Sequence, residues 1–425
     1  MQKASKLIDF MNVFNHNPLD DESFYEDLNE VHNLEVKKLK HFCLGSTNPY
    51  AKILFSGHNG SGKTTEINHL VALSEIQQKF EVIRINLAED VGTQDLNFID
   101  FIFEIMATIV LHLGKNHSQD LEKDSTEFLN PLHDYCCSAG GLLEPIHEVA
   151  VTASEKLKDL AKQAVKGQHI FKTGTYTKEE LRDKLEPFLA ELIECINVAI
   201  QGIHRMIAPK QLLLIIDDLD KIDSQCVKQI FVQCLEVIFS LCARVIFVLP
   251  IALTVSPDFS RVRNRADTSF TLGVLNPLDK NVNIAKQSIQ TLKQLVLKRA
   301  EECLFEKGAL DALIKKSGGI LKDLFCLLIN ASLNAVIEHP ETTTISVHDV
   351  WKSCLNLQRE YVRLIESAAH YDYLKVVYET PWKTFDYELL MNLLQNSLVI
   401  EYSNGEDRLL HPLVVDYMKS NDDIV

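Results

Sequence analysis

The chain has 425 residues, 46% of them hydrophobic and 24% charged, the composition of a globular protein with more than one domain. A formal net charge of −16 argues against broad, nonspecific nucleic-acid binding by the whole molecule, while leaving room for a local basic surface. Apolar runs stop well short of the ~18 residues of a membrane span, and the first ten residues have no apolar leader core, so a cytoplasmic protein without membrane contact is expected.

Residues 1–49 read as an entry segment, with a turn at Asn17-Pro18 and a Ser23-x-x-Glu26 cap for a following helix. Ala51–Ser56 is apolar enough for a buried strand. Gly57 to Thr64 then reads G-H-N-G-S-G-K-T, and Thr65–Leu73 follows as a helix. Strand, glycine-rich loop and helix in this order form a phosphate-binding loop, because small residues let backbone N–H groups close around phosphate oxygens. Gly57, His58, Asn59, Gly60, Ser61, Gly62, Lys63, Thr64 and Thr65 would form the cradle. Lys63 would reach the β- and γ-phosphates and the Thr64 hydroxyl would bind Mg²⁺.

Phe80–Leu87 alternates as a strand, and Phe98–Leu113 is apolar enough for a buried helix. Residues 115–175 read as an insertion whose Lys156, Lys158, Lys162 and Lys166 suit a solvated helix face. Thr177-x-x-Glu180 is a capping box for a helix running to Arg205. Gln211 to Asp220 (Q-L-L-L-I-I-D-D-L-D) is a buried parallel strand ending in carboxylates. Asp217 is the expected second Mg²⁺ ligand and Asp218 the base that orients attacking water. A helix over Cys226–Leu241 and strands over Ala243–Leu249 and Thr268–Leu275 complete five strands alternating with helices. That pattern predicts an α/β parallel sheet with its ligand at the strands' carboxyl ends.

After Asn276-Pro277 the character turns helical: Val282–Cys303, Gly308–Lys316, Ile320–Val336 after the break at Gly318-Gly319, and Ser346–Ala369. From His370 a short helix, Glu388–Ser397, precedes a hairpin of Leu398–Tyr402 and Arg408–His411, which suggests a winged helix. The expected division is therefore 1–49, a nucleotide-binding domain at 50–279, a helical lid at 280–369 and a winged-helix domain at 370–425. The helix Glu388–Ser397 contains no Lys or Arg. Lys375, Lys383 and Arg408 are outnumbered by Glu379, Asp386, Glu388, Glu401, Glu406 and Asp407, so protein contact is favoured over DNA contact. None of the ten cysteines forms C-x-x-C, and reduced core thiols are expected rather than a zinc site.

The loop G-H-N-G-S-G-K-T-T, the strand L-L-L-I-I-D-D-L-D, the arginine run R-V-R-N-R, the lid sequence S-G-G-I-L-K-D-L and the terminal hairpin together resemble the AAA+ and STAND NTPases. The likeness extends to the replication-initiator branch and to bacterial STAND-like ATPases of phage defence. The resemblance implies ATP and Mg²⁺ as ligands, a sheet order of 5-1-4-3-2 and a lid closing over the nucleotide. It places Lys322 where a sensor arginine usually stands, and Arg263 or Arg265 where a finger reaches a neighbouring subunit's γ-phosphate, which implies a homo-oligomer through the nucleotide interface. The acidic strand ends Asp-Asp where the family's commoner pattern ends Asp-Glu, and the shorter acid implies slow hydrolysis. Two functions follow from the resemblance. One is a switch ATPase acting on an effector protein, as in bacterial defence. The other is a DNA-binding ATPase of the replication-initiator or transposition-regulator type.

Overall fold

Strand residues alternate between the two faces of a sheet, and both faces of this one are apolar. β1 (Lys52–Gly57), β2 (Phe80–Asn86), β3 (Gln211–Asp217), β4 (Arg244–Pro250) and β5 (Thr268–Leu272) form one sheet with every pairing parallel. Read from β5, the order is 5-1-4-3-2, as expected. Leu54, Ile83, Ile85, Leu212, Leu214, Ile216, Val245 and Phe247 point to one face, beneath the helices Leu189–Ile207 and Ser224–Gln233. Ile53, Phe55, Leu213, Ile215, Ile246 and Val248 point to the other, beneath Asn29–Gly45, Lys63–Ala72 and Ser74–Lys79. Each fully buried aliphatic side chain contributes about 1.5–3 kcal/mol relative to exposure, so apolar burial on both faces holds the sheet.

This computed structural model describes residues 2–15, 17–19, 21–87, 98, 101, 102, 105, 108, 109, 112, 189–222, 224–382, 386–402 and 407–421. The expected insertion, the Thr177 capping box and the Ser403–Gly405 turn lie outside them. Of the expected helix Phe98–Leu113, the described Phe98, Phe101, Ile102, Ile105 and Ile109 are helical and buried in the first sheet core.

A second core gathers the helices Val282–Arg299, Ala309–Lys316, Leu321–Glu338 and Val347–Arg363 with the C-terminal helices Ala368–Glu379, Tyr387–Gln395 and Pro412–Ser420. The start of the chain belongs to it too. Phe10 and Phe14 pack on each other at 5.1 Å between ring centroids, and on Phe305 and Phe325 of the lid. The hairpin β6 (Val399–Tyr402) and β7 (Asp407–Leu410) is antiparallel. Ile400, Tyr402, Val274 and Ile320 form a small separate cluster that packs the hairpin against the segment after β5 and the residue before the helix Leu321–Glu338.

Several element boundaries differ from expectation, each for a local reason. The helix over Cys226–Leu241 is two pieces, Ser224–Gln233 and Leu235–Phe239; the break at Cys234 turns Leu235, Ile238 and Phe239 onto the sheet core. The first lid helix stops at Arg299, not Cys303, because Ala4 pairs with Ala300 and captures its flanking backbone groups. The helix over Ser346–Ala369 ends at Arg363, and Ser367 opens a new one by accepting the His370 N–H at 3.3 Å. Ser346 caps its helix reciprocally with Asp349. Ser23 and Glu26 do not form the expected cap. Asp21 takes the Ser23 N–H at 3.0 Å, Glu26 pairs with Lys298 at 3.1 Å, and the helix starts at Asn29.

Candidate functional site

Both sequence motifs lie at the carboxyl ends of central strands, β1 and β3, with β4 between them. β1 ends at Gly57, the loop turns through His58 to Gly62, and Lys63 opens a helix. Lys63 is 3% exposed. Its ammonium donates to Gly57 O at 3.1 Å and His58 O at 2.7 Å, and meets Asp220 Oδ2 at 2.7 Å. Thr64 and Thr65 are half-buried on the first turn of that helix. The Thr65 hydroxyl accepts the Leu19 N–H at 3.3 Å, which ties the entry segment to the loop.

The carboxylates of Asp217, Asp218 and Asp220 offer oxygens within 4.8 Å of one another, and all are buried. Asp217 ends β3, accepts the Asp218 N–H at 2.8 Å and is paired with Arg84 from the adjacent β2. Arg84 is itself held by Asn68 of the loop helix. Asp218 has φ of 67° and pairs with Lys221 at 2.7 Å. Burial, with repulsion from Asp217 and Asp220, raises its carboxyl above the ordinary value against the pull of Lys221. Asp220 is the carboxylate partner of Lys63. Its backbone oxygen accepts from Gln395 Nε2 at 2.7 Å.

The helical segment expected as a lid meets the loop through backbone. The lid helix beginning at Leu321 has no side-chain cap, and the Lys322 N–H bonds Gly60 O at 3.1 Å. Gly60 has φ of +75°, and a Cβ there would lie 2.4 Å from Lys322 Cβ. The Lys322 side chain is exposed. Beside Gly62 and Thr65 opens a cavity of about 250 Å³ lined by Tyr25, Leu28, Arg299 and Phe325.

The C-terminal hairpin reaches the loop from the other side. His58 is fully buried, and its Nε2 accepts the Glu401 N–H at 2.9 Å. Burial and the Lys63 charge push the His58 imidazole down to about 3, so the ring is neutral with its proton on Nδ1. Tyr402 donates to Gly318 O at 2.8 Å, and Arg408 forms a buried ion pair with Glu401.

Arg261, Arg263 and Arg265 lie on the helix Phe259–Arg265, and all three are exposed. Asp267, just beyond, bonds Lys52 O, at the start of β1. These arginines therefore stand at the amino end of the sheet, roughly 17 Å of strand away from their own loop. Arg265 meets Glu236 at 3.1 Å.

The structure thus gathers Gly57 to Thr65, Asp217, Asp218 and the Lys322 backbone into one place and leaves Arg263 and Arg265 apart. A cradle around a glycine with no room for a Cβ, a lysine inside it, the Thr64 hydroxyl and three carboxylates form a donor set that fits a nucleoside triphosphate with a divalent cation. Sequence reasoning missed Arg84, Asn68, Gln395 and Leu19, since each meets the site through a contact distant in sequence. Only the arginine inside an otherwise ordinary strand at Phe80–Asn86 was a visible signal.

No protein-family model matches the chain, and no curated protein matches it. Among solved structures it is similar to Cdc6p from Pyrobaculum aerophilum, at 13% identity over 95% of this chain and 99% of that one, with a TM-score of 0.44. It is similar to Orc1 from Aeropyrum pernix, solved in complex with DNA, at 11% identity over 94% and 96%, with a TM-score of 0.42. A RuvB variant from Thermotoga maritima matches at 13% identity over 95% and 100%, with a TM-score of 0.36.

Proposed function

We propose that this chain binds ATP with Mg²⁺ at the Gly57–Thr65 loop and hydrolyses it slowly, as a switch that acts on a partner protein. The observation that carries the reading is Lys63, enclosed at the carboxyl end of β1 beside the acidic turn that ends β3. Thr64 and Asp217 would hold the cation, which would neutralise charge on the phosphates when bound. Asp218 stands next to Asp217, and its raised carboxyl suits a group that takes a proton from water. The cavity beside Gly62 and Thr65 would take the nucleoside, and Lys322 would face the phosphates from the lid.

Contacts of the lid and the C-terminal hairpin with the loop itself support a switch, because phosphate binding cannot rearrange the loop without disturbing them. We read the hairpin and its helices as a winged helix used for protein contact. The helix Tyr387–Gln395 buries Leu390, Met391, Leu393 and Leu394 and packs against Ile251–Thr254. Arg408 is committed to Glu401 and lies over the Trp382 ring. Both observations count against DNA contact through this helix and Arg408, so we favour an effector protein, as in bacterial defence, over the alternative of a DNA-binding initiator or transposition regulator. Exposed arginines at the amino end of the sheet support a homo-oligomer in which Arg263 or Arg265 serves a neighbour's site.

Titration calorimetry of Mg²⁺–ATP against the parental chain and Lys63→Ala tests the reading. Loss of the lysine removes a charge-assisted contact, so affinity should fall at least ~10-fold. Equal affinity in the two proteins would sink the assignment.

A further inference from the structure

An ammonium group has three protons to donate. In this chain all three directions of Lys63 are taken: Gly57 O at 3.1 Å, His58 O at 2.7 Å and Asp220 Oδ2 at 2.7 Å. The first two acceptors belong to the loop's own backbone and shape it. The third is the exchangeable one, an anion held where an incoming phosphate oxygen would seek the same proton. We propose that Asp220 is a built-in competitor for the triphosphate: it occupies Lys63 until nucleotide displaces it, and so sets the affinity of the site and its dependence on a divalent cation. The proposal rests on the nucleotide reading of this loop.

Displacement leaves a problem that the geometry defines. Asp220 is only 7% exposed, and its carboxylate lies within 4.8 Å of those of Asp217 and Asp218. Asp217 has Arg84 and Asp218 has Lys221 as counter-charges. Once Lys63 turns to phosphate, Asp220 becomes a buried carboxylate without its cation, next to a polyanion. A buried charge stripped of its partner is strongly unfavourable. Nucleotide alone should therefore bind poorly, and a divalent cation arriving with it restores the lost positive charge.

Asp220 is also held from outside the motif. Gln395, the last residue of the helix Tyr387–Gln395, donates to its backbone oxygen at 2.7 Å. Asp220 belongs to a single turn of 3-10 helix, Leu219–Lys221, which has no regular structure of its own to fix the carboxylate. The C-terminal helix thus sets how firmly the competitor stands against Lys63. Asp220 here is a positioning residue for Lys63 and not a group that touches the reacting atoms.

The test is nucleotide binding by calorimetry, with Mg²⁺ and separately with EDTA, on the full chain. Asp220→Asn keeps the shape and removes the charge. It should raise the affinity for metal-free ATP at least ~10-fold, the low end of what one charge-assisted hydrogen bond contributes, and should raise Mg²⁺–ATP affinity less. Gln395→Met removes the anchor and should move metal-free affinity in the same direction by a smaller factor; it carries the test if Asp220→Asn does not fold. A merely structural Asp220 would lower both affinities together or change neither, and either result in the folded variant overturns the proposal. Lys63→Ala separates the two claims. If it abolishes binding while Asp220→Asn changes nothing, the competitor fails and the nucleotide site stands. If Lys63→Ala binds like the parent, the site itself is misassigned.

Discussion

Gly60 offers the sharpest check on how the lid meets the loop. An L-residue at its φ of +75° costs about 1–2 kcal/mol, whatever surrounds it. The added Cβ in Gly60→Ala would lie 2.4 Å from Lys322 Cβ. Carbon atoms rest at about 3.5–4 Å, so the lid helix must retreat by roughly 1 Å or more. The Lys322 N–H to Gly60 O bond, now 3.1 Å, then stretches beyond hydrogen-bonding range, and the lid helix loses the carbonyl that caps it. Loss of that bond adds about 1 kcal/mol, for a total of about 2–3 kcal/mol. Gly308 supplies the control: its φ is +87° and a Cβ there meets nothing within 4 Å. Gly308→Ala should therefore show the backbone cost alone. Chemical denaturation of both variants against the parent measures the difference, and nucleotide titration should show Gly60→Ala weakened and Gly308→Ala unaffected. Equal destabilisation by the two alanines would refute the packed lid–loop contact.

His58 predicts a pH dependence. Its folded-state value is lowered from 6.5 to about 3, so the unfolded chain binds the extra proton first. The contribution is complete above about pH 6.5 and is lost progressively as pH falls toward 3, with a slope of at most ~1.4 kcal/mol per pH unit. Denaturant midpoints between pH 4 and 7 should fall less steeply for His58→Gln than for the parent, and parallel curves would count against a buried neutral ring. For the arginines, Arg265→Ala or Arg263→Ala should bind ATP normally and hydrolyse it slowly, by ~10³-fold or more for a fully engaged finger and less for a slow switch. Mixing the affected variant with Asp218→Asn should restore turnover, because one interface then joins an intact acid to an intact arginine. A rate per chain that is independent of concentration, with no rescue on mixing, would leave these arginines as a solvated surface.

The sheet was legible because its evidence is local. Leu212 to Ile216 is an unbroken apolar run that only a strand buried on both faces accepts, and the loop before Lys63 repeats glycine where the backbone must turn tightly. The order 5-1-4-3-2 came from the resemblance and is the order observed. What sequence could not yield was which charge meets which. Arg84 reads as a polar position of an alternating strand, and only the β2–β3 pairing brings its guanidinium to Asp217. Glu401 lies 343 residues from His58, and its contact is made by backbone N–H, which carries no residue identity. The helix breaks at Cys234 and after Arg363 were hidden for a similar reason. Neither contains Gly or Pro, and the first follows from packing on the sheet.

The pairings of the acidic turn are more informative together than singly. Asp217 faces Arg84, Asp218 faces Lys221 and Asp220 faces Lys63, so each carboxylate of the cluster has its own cation. Each cation comes from a different element: β2, the turn itself and the helix after the loop. A site balanced in this way is stable without ligand, since no buried charge lacks a counter-charge. It is also poised, because a polyanion at Lys63 upsets one pair and changes the electrostatics of the other two. The contacts around it are placed to register the change. Gln395 holds the Asp220 backbone and Glu401 holds His58, whose carbonyl oxygen is a Lys63 acceptor. Both belong to the C-terminal segment. Under the proposed nucleotide reading, a rearrangement at Lys63 would reach two points on the same structural unit, the coupling that a switch requires.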